Sequence, residues 1–124
     1  MKGKNFIIEL AIYPFDVMVS IGEESNKLFE RLIASGVDEN EVTNAEYENI
    51  GDARYCLFNS GQSLIRIKKK PETPKEYGHL QHEIFHCAAS ILWRIGMKLK
   101  IKTSDEAYAY LIQFLTEQIY LGVS

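Results

Sequence analysis

Apolar residues dominate Phe6 to Tyr13, a stretch rich in Ile and aromatic side chains, and alternate with smaller or polar ones from Val17 to Ile21. Both stretches have strand character. Pro14-Phe15-Asp16 supplies a turn between them, so the spacing predicts an N-terminal hairpin. From Glu23 the period lengthens to that of a helix, with Leu28, Phe29, Leu32 and Ile33 on one face and Gly36 placed to end it. Residues 38–49 are polar with room for a short helix, and Gly51-Asp52 punctuates them. Strands return at Arg54 to Phe58 and Leu64 to Lys68, flanking the turn-rich Asn59-Ser60-Gly61-Gln62 of a second hairpin.

The C-terminal half carries explicit helix punctuation. Thr73-Pro74-Lys75-Glu76 reads as a capping box with Pro at the first helical position, and Gly96 as the residue just past the end. A helix over Pro74 to Ile95 follows from these signals. At 100° per residue Leu80, Ile84, Phe85, Ala88, Ile91, Leu92 and Ile95 form its apolar arc, opposite His79, His82, Glu83, His86 and Ser90. A second helix begins after Thr103 or Ser104 and runs to about Tyr120. Its apolar stripe is Leu111, Ile112, Leu115 and Ile119; Glu106, Tyr110, Gln113 and Glu117 share the polar face.

These elements add up to one α+β domain spanning all 124 residues, with 46% apolar and 25% charged positions. A net charge of −3 offers no global reason to bind nucleic acid. The basic runs Lys68-Lys69-Lys70 and Lys98, Lys100, Lys102 read as solvated strand ends or loops. Glu9, Pro14 and Asp16 break the run from Phe6 to Ile21 well short of the ~18 to 20 residues that cross a bilayer, and spoil it as a signal peptide. A cytoplasmic protein with no membrane partner is the expectation. Cys56 and Cys87 lie singly in apolar segments and read as core thiols.

One constellation points to chemistry. His82-Glu83-Ile84-Phe85-His86 is an H-E-x-x-H sequence inside the first C-terminal helix. Two His at i and i+4 project from one face, so their imidazoles can converge on one zinc ion at ~2.0 to 2.1 Å. Glu83, rotated about 100° from His82, falls outside the metal's first shell yet beside a water bound there, the position of a general base. A catalytic site of this kind takes a third protein ligand and leaves the fourth position open. His79 stands about 10.5 Å from His86 along the axis, which suits the rim rather than the ion. Glu106 at the start of the next helix is the nominated third ligand, with Asp105 and Glu117 as fallbacks; Thr103-x-x-Glu106 also reads as a capping box. Tyr108 and Tyr110 are candidates to donate a hydrogen bond to a developing oxyanion, with Tyr110 taken as catalytic.

His-Glu-Ile-Phe-His on one helix, followed across a short loop by Ser104-Asp105-Glu106-Ala107-Tyr108-Ala109-Tyr110, resembles the gluzincin branch of zinc metallopeptidases. More narrowly, the strings G-Q-S-L-I-R-I-K, H-E-I-F-H and E-A-Y-A-Y-L-I are similar to minimal zincin-like proteins encoded by phages and prophages. The resemblance covers roughly Asn59 to Tyr120. It implies His82, His86 and Glu106 as zinc ligands, Glu83 as general base, and a peptide or protein substrate in the host bacterial cytoplasm. It also implies a small twisted, mostly antiparallel sheet backed by the active-site helix, with substrate extended along a sheet edge. Leu64 to Lys68 is the expected edge, where Arg66 and Lys68 would either favour acidic substrate side chains or protect the edge. The alternative is an inactive zincin-like binding or regulatory protein whose metal, if any, is structural.

Overall fold

The structure, a computed structural model, describes residues 3–46 and 51–124. Four strands, β1 (Lys4–Ile8), β2 (Val17–Ile21), β3 (Ala53–Leu57) and β4 (Ser63–Ile67), form one mixed sheet in the order β1-β2-β4-β3. β1 and β2 make the N-terminal hairpin, and β3 and β4 the second. β2 and β4 run parallel, which requires the crossover through α1 (Ser25–Ala34) and a 3-10 turn at Val42–Ala45. That turn is the short helix anticipated in the polar segment; positions 47–49 of the segment lie outside the described residues. Two of the three pairings are antiparallel.

The sheet is covered on both faces, so alternate residues of each strand feed two cores. Leu28 and Leu32 of α1 pack with Leu64, Cys56 and Phe58 on one side. On the other, Val17, Val19, Ile65 and Ile67 meet two long helices, α2 (Pro74–Arg94) and α3 (Asp105–Val123), through Leu80, Ile84, Ile91, Leu115 and Ile119. Among the described residues, no helix is long and apolar enough to cross a membrane.

α2 starts and stops where its punctuation says. The Thr73 hydroxyl accepts from the Glu76 N–H, and Glu76 Oε1 accepts from the N–H groups of Glu72 and Thr73. Those two backbone donors, helped by the Lys69 ammonium, hold the Glu76 carboxyl down to about 2. At the far end Gly96, at φ +85°, donates to the Trp93 carbonyl while the Met97 N–H reaches the Leu92 carbonyl. These two bonds form a Schellman motif, which needs the left-handed conformation that glycine adopts without penalty.

Three expectations are corrected. The first strand ends at Ile8 rather than Tyr13, because the Leu10 N–H turns inward to Asp16 Oδ1 and leaves Ile12 in solvent. Phe85 and Ile95, assigned to the apolar arc of α2, are exposed, and Cys87 is buried there instead. β4 is not an edge: it lies between β2 and β3, and Arg66 is fully buried, donating to the Glu23 carbonyl and the Ser25 hydroxyl. Arg66 therefore faces the α1 layer and cannot meet a substrate. The parallel crossover inserts β2 beside β4, a non-local pairing that hydrophobic alternation does not specify. The edge strands are β1 and β3.

Candidate metal centre

α2 carries the candidate residues on the face turned away from the core. His82 and His86 are one turn apart, as i and i+4 positions must be. Their Nε2 atoms approach to 3.0 Å. Two nitrogens each ~2.0 to 2.1 Å from one ion in tetrahedral array are about 3.3 Å apart. The pair thus fits a shared divalent cation with little adjustment, and both rings are open to solvent.

Glu83 sits a third of a turn round the helix, toward the sheet, and is only half-buried. Its Oε1 accepts the backbone N–H of Tyr55 at 2.7 Å, while Oε2 lies 3.7 Å from His82 Nε2. The carboxylate therefore has one oxygen bonded to the strand and the other facing His82 beyond hydrogen-bond distance. Among the described residues His82, Glu83 and His86 form the one group of three such donors within 4.8 Å of one another.

The N–H reaching Glu83 is free because β3 is an edge. Lys68 donates to the Asp52 carbonyl and Phe58 to the Gln62 carbonyl, so even-numbered residues from 52 to 58 turn their backbone groups to β4. Ala53, Tyr55 and Leu57 consequently turn theirs outward. Tyr55 is held in place by its own ring: burial raises its phenol above the usual tyrosine value, and its hydroxyl lies 3.2 Å from Ser63 Oγ.

Asp52, just before β3, accepts from or pairs with His79 at 2.8 Å between Oδ2 and Nδ1. His79 thus sits at the rim, one turn before Glu83, and leaves Nε2 for a further partner.

The other expected residues lie elsewhere. Glu106 is exposed on the first turn of α3 and joins no group with the histidines. It stands about 160° around α3 from Tyr108, the residue whose ring borders the groove beside His86. Asp105 accepts the Lys102 N–H, and Glu117 accepts from Gln113 on the exposed face. The Thr103–Glu106 capping box does not form, since the Thr103 hydroxyl donates to the Lys100 carbonyl. Tyr110 is 66% exposed and lines a separate groove with Tyr13 and Phe114, so it has no access to the histidine pair. Tyr108 spends its hydroxyl on the Met97 carbonyl at 2.6 Å.

Sequence reasoning missed two participants. Asp52 was legible only as a punctuating residue, and the Tyr55 contribution is a backbone N–H, which every non-proline residue has and no side-chain pattern can single out. Compared with family models, with curated proteins and with solved structures, the chain matches none. Its own residues carry the functional reading.

Proposed function

We propose that this chain is a zinc-dependent metallopeptidase in which His82 and His86 hold the ion and Glu83 moves the protons. The observation that carries the reading is the 3.0 Å convergence of the two Nε2 atoms beside a carboxylate already oriented by β3. Bound there, zinc supplies Lewis-acid activation of a water molecule and of the substrate carbonyl.

Glu83 acts through Oε2. Its other oxygen is engaged by the Tyr55 N–H, and Oε2 is the one facing the histidines. It takes a proton from the attacking water and delivers it to the departing amine, so the peptide C–N bond breaks and the carboxylate is restored. The substrate lies extended along the outward edge of β3, using the outward-turned backbone groups of Leu57, rather than along β4. A catalytic zinc takes three protein ligands; Glu106, nominated from the sequence, stands outside the group of donors and would have to be brought to the histidines to serve as the third.

A second reading, a metal-binding protein without catalysis, is favoured by the position of Glu106 outside the group of donors. Metal analysis together with hydrolysis of an unstructured protein such as casein separates the two. The proposal expects close to one zinc per chain and turnover abolished in Glu83→Gln with zinc retained. Zinc without turnover in the wild type favours the second reading, and a chain that takes up no zinc at micromolar concentration overturns the first.

A further inference from the structure

A groove of about 630 Å³ opens directly beside His86 and runs along α2 toward its C-terminal end. Its size lies inside the range of specific ligand pockets. Four large apolar side chains from three different segments converge on it: Leu57 of β3, Phe85 and Trp93 of α2, and Leu99 of the loop before α3. They are 40 to 61% exposed. Scattered exposed apolar residues need no explanation, but four around one concavity that also contains a candidate metal ligand do.

The groove's charge is one-sided. Among the described residues its lining includes Arg94 and Lys98 and no acidic residue, although the chain as a whole is net negative. Arg94 is committed elsewhere, stacked 3.6 Å over the Phe15 ring and donating to the Gly61 carbonyl. Lys98 is exposed, with its ammonium 5.4 Å from the centre of the Trp93 ring, a cation–π distance. It has no carboxylate within ion-pair distance among the described residues.

The dimensions order these features. Trp93 is seven residues beyond His86, about 10.5 Å along the helix axis. An extended chain covers that distance in roughly three residues. A peptide entering at His86 thus meets the apolar walls first and the Lys98 ammonium last.

We infer that this groove is the specificity subsite, taking a large apolar, preferably aromatic, side chain followed by an acidic residue. The inference rests on the metallopeptidase reading for the bond that is cut, but the binding it describes is measurable without cleavage. Trp93 is the only tryptophan in the chain, so its emission reports this groove and nothing else.

The test titrates hexapeptides, acetylated and amidated so that a side chain carries the sole charge, into the Glu83→Gln protein with zinc present. Peptides with Phe-Glu, Phe-Lys or Ala-Glu at the centre are compared by Trp93 fluorescence. Phe-Glu is expected to bind at least tenfold tighter than the other two, and Lys98→Glu, at an exposed position, to reverse the order of Phe-Glu and Phe-Lys. Affinities within twofold of one another, or an order that Lys98→Glu does not change, overturn the inference. So does a Trp93 change driven by protein concentration alone with a sedimenting dimer, which would put a second copy in the groove. Incubation with the wild type separates this from the parent reading. Selective binding of an uncut peptide upholds the groove while counting against the peptidase, whereas cleavage indifferent to Phe and Glu upholds the peptidase and overturns the groove.

Discussion

The backbone N–H of Tyr55 donates to Glu83 Oε1 at 2.7 Å, tying the edge of the sheet to the one acidic residue between the two converging histidines. The bond serves two ends. It satisfies a partly buried strand donor that has no β partner, and it sets which carboxylate oxygen faces the histidine pair.

Replacing Glu83 by Gln and by Ala separates those ends. Gln keeps an acceptor for the Tyr55 N–H, so the fold is expected to hold while hydrolysis drops about 10²- to 10⁴-fold, the usual worth of a general base. Ala leaves the N–H unpaired and is expected to cost a further ~1 to 3 kcal/mol of stability. Denaturant melts of the two variants check this; equal stabilities would remove the structural role assigned to the bond.

Glu106→Gln tests the third ligand. The catalytic reading expects zinc affinity to fall at least tenfold, measured by competition with a chelating dye. His82→Ala and His86→Ala serve as references: both rings are exposed, so each should abolish tight zinc binding with little change in melting temperature. An unchanged affinity in Glu106→Gln moves the balance to the non-catalytic reading.

Thiol chemistry reports the two cores. Burial pushes the Cys56 thiol up to about 11 and Cys87 to about 12. The two lie in different apolar clusters on opposite faces of the sheet and cannot pair. Neither is expected to react with a thiol reagent at pH 8 in the native protein, and both should do so in denaturant. Rapid labelling of either in the native protein would contradict its place in the core.

Glu23 makes stability depend on acid. Burial alone would raise its pKa, but the two-pronged Arg31 pair at 2.6 and 2.8 Å, with a further bond from Asn5 at 3.1 Å, holds it below the ordinary 4.5. The folded carboxyl is the stronger acid, so its contribution is present above the unfolded value and is lost as pH falls through the folded one. Glu23→Gln is expected to cost ~1 to 3 kcal/mol at pH 7. That difference from wild type should shrink as melts are repeated below pH 4.5, and a difference that stays constant into acid would show that the pair does not set it.

Local chemistry made much of this chain legible before any fold was known. The bounds of α2 were written in Thr73, Glu76 and Gly96, because a capping box and a left-handed C-terminal glycine satisfy helix-end groups within a few residues. The histidine pair was equally legible, since i and i+4 positions meet on any helix. Both hairpins followed from local turn signals, Pro14-Phe15-Asp16 and Asn59-Ser60-Gly61-Gln62, although the first connection runs over eight residues, 9–16.

Whatever depended on long-range pairing was decided by the tertiary structure. Whether β4 is an edge turns on the parallel partner β2, more than forty positions away in sequence, and its alternation reads the same at an edge or inside. Arg66 looked like a solvent-facing charge until that pairing buried it. Glu106 and Tyr110 shared a polar helix face with no indication of which way it would turn, and the face turned away from the histidines because Leu111, Leu115 and Ile119 had to meet the core. The Tyr55 N–H became available only because β3 ended the sheet. A sequence displays side chains and their local period, and only the assembled sheet determines which backbone donors are left for the Glu83 carboxylate to use.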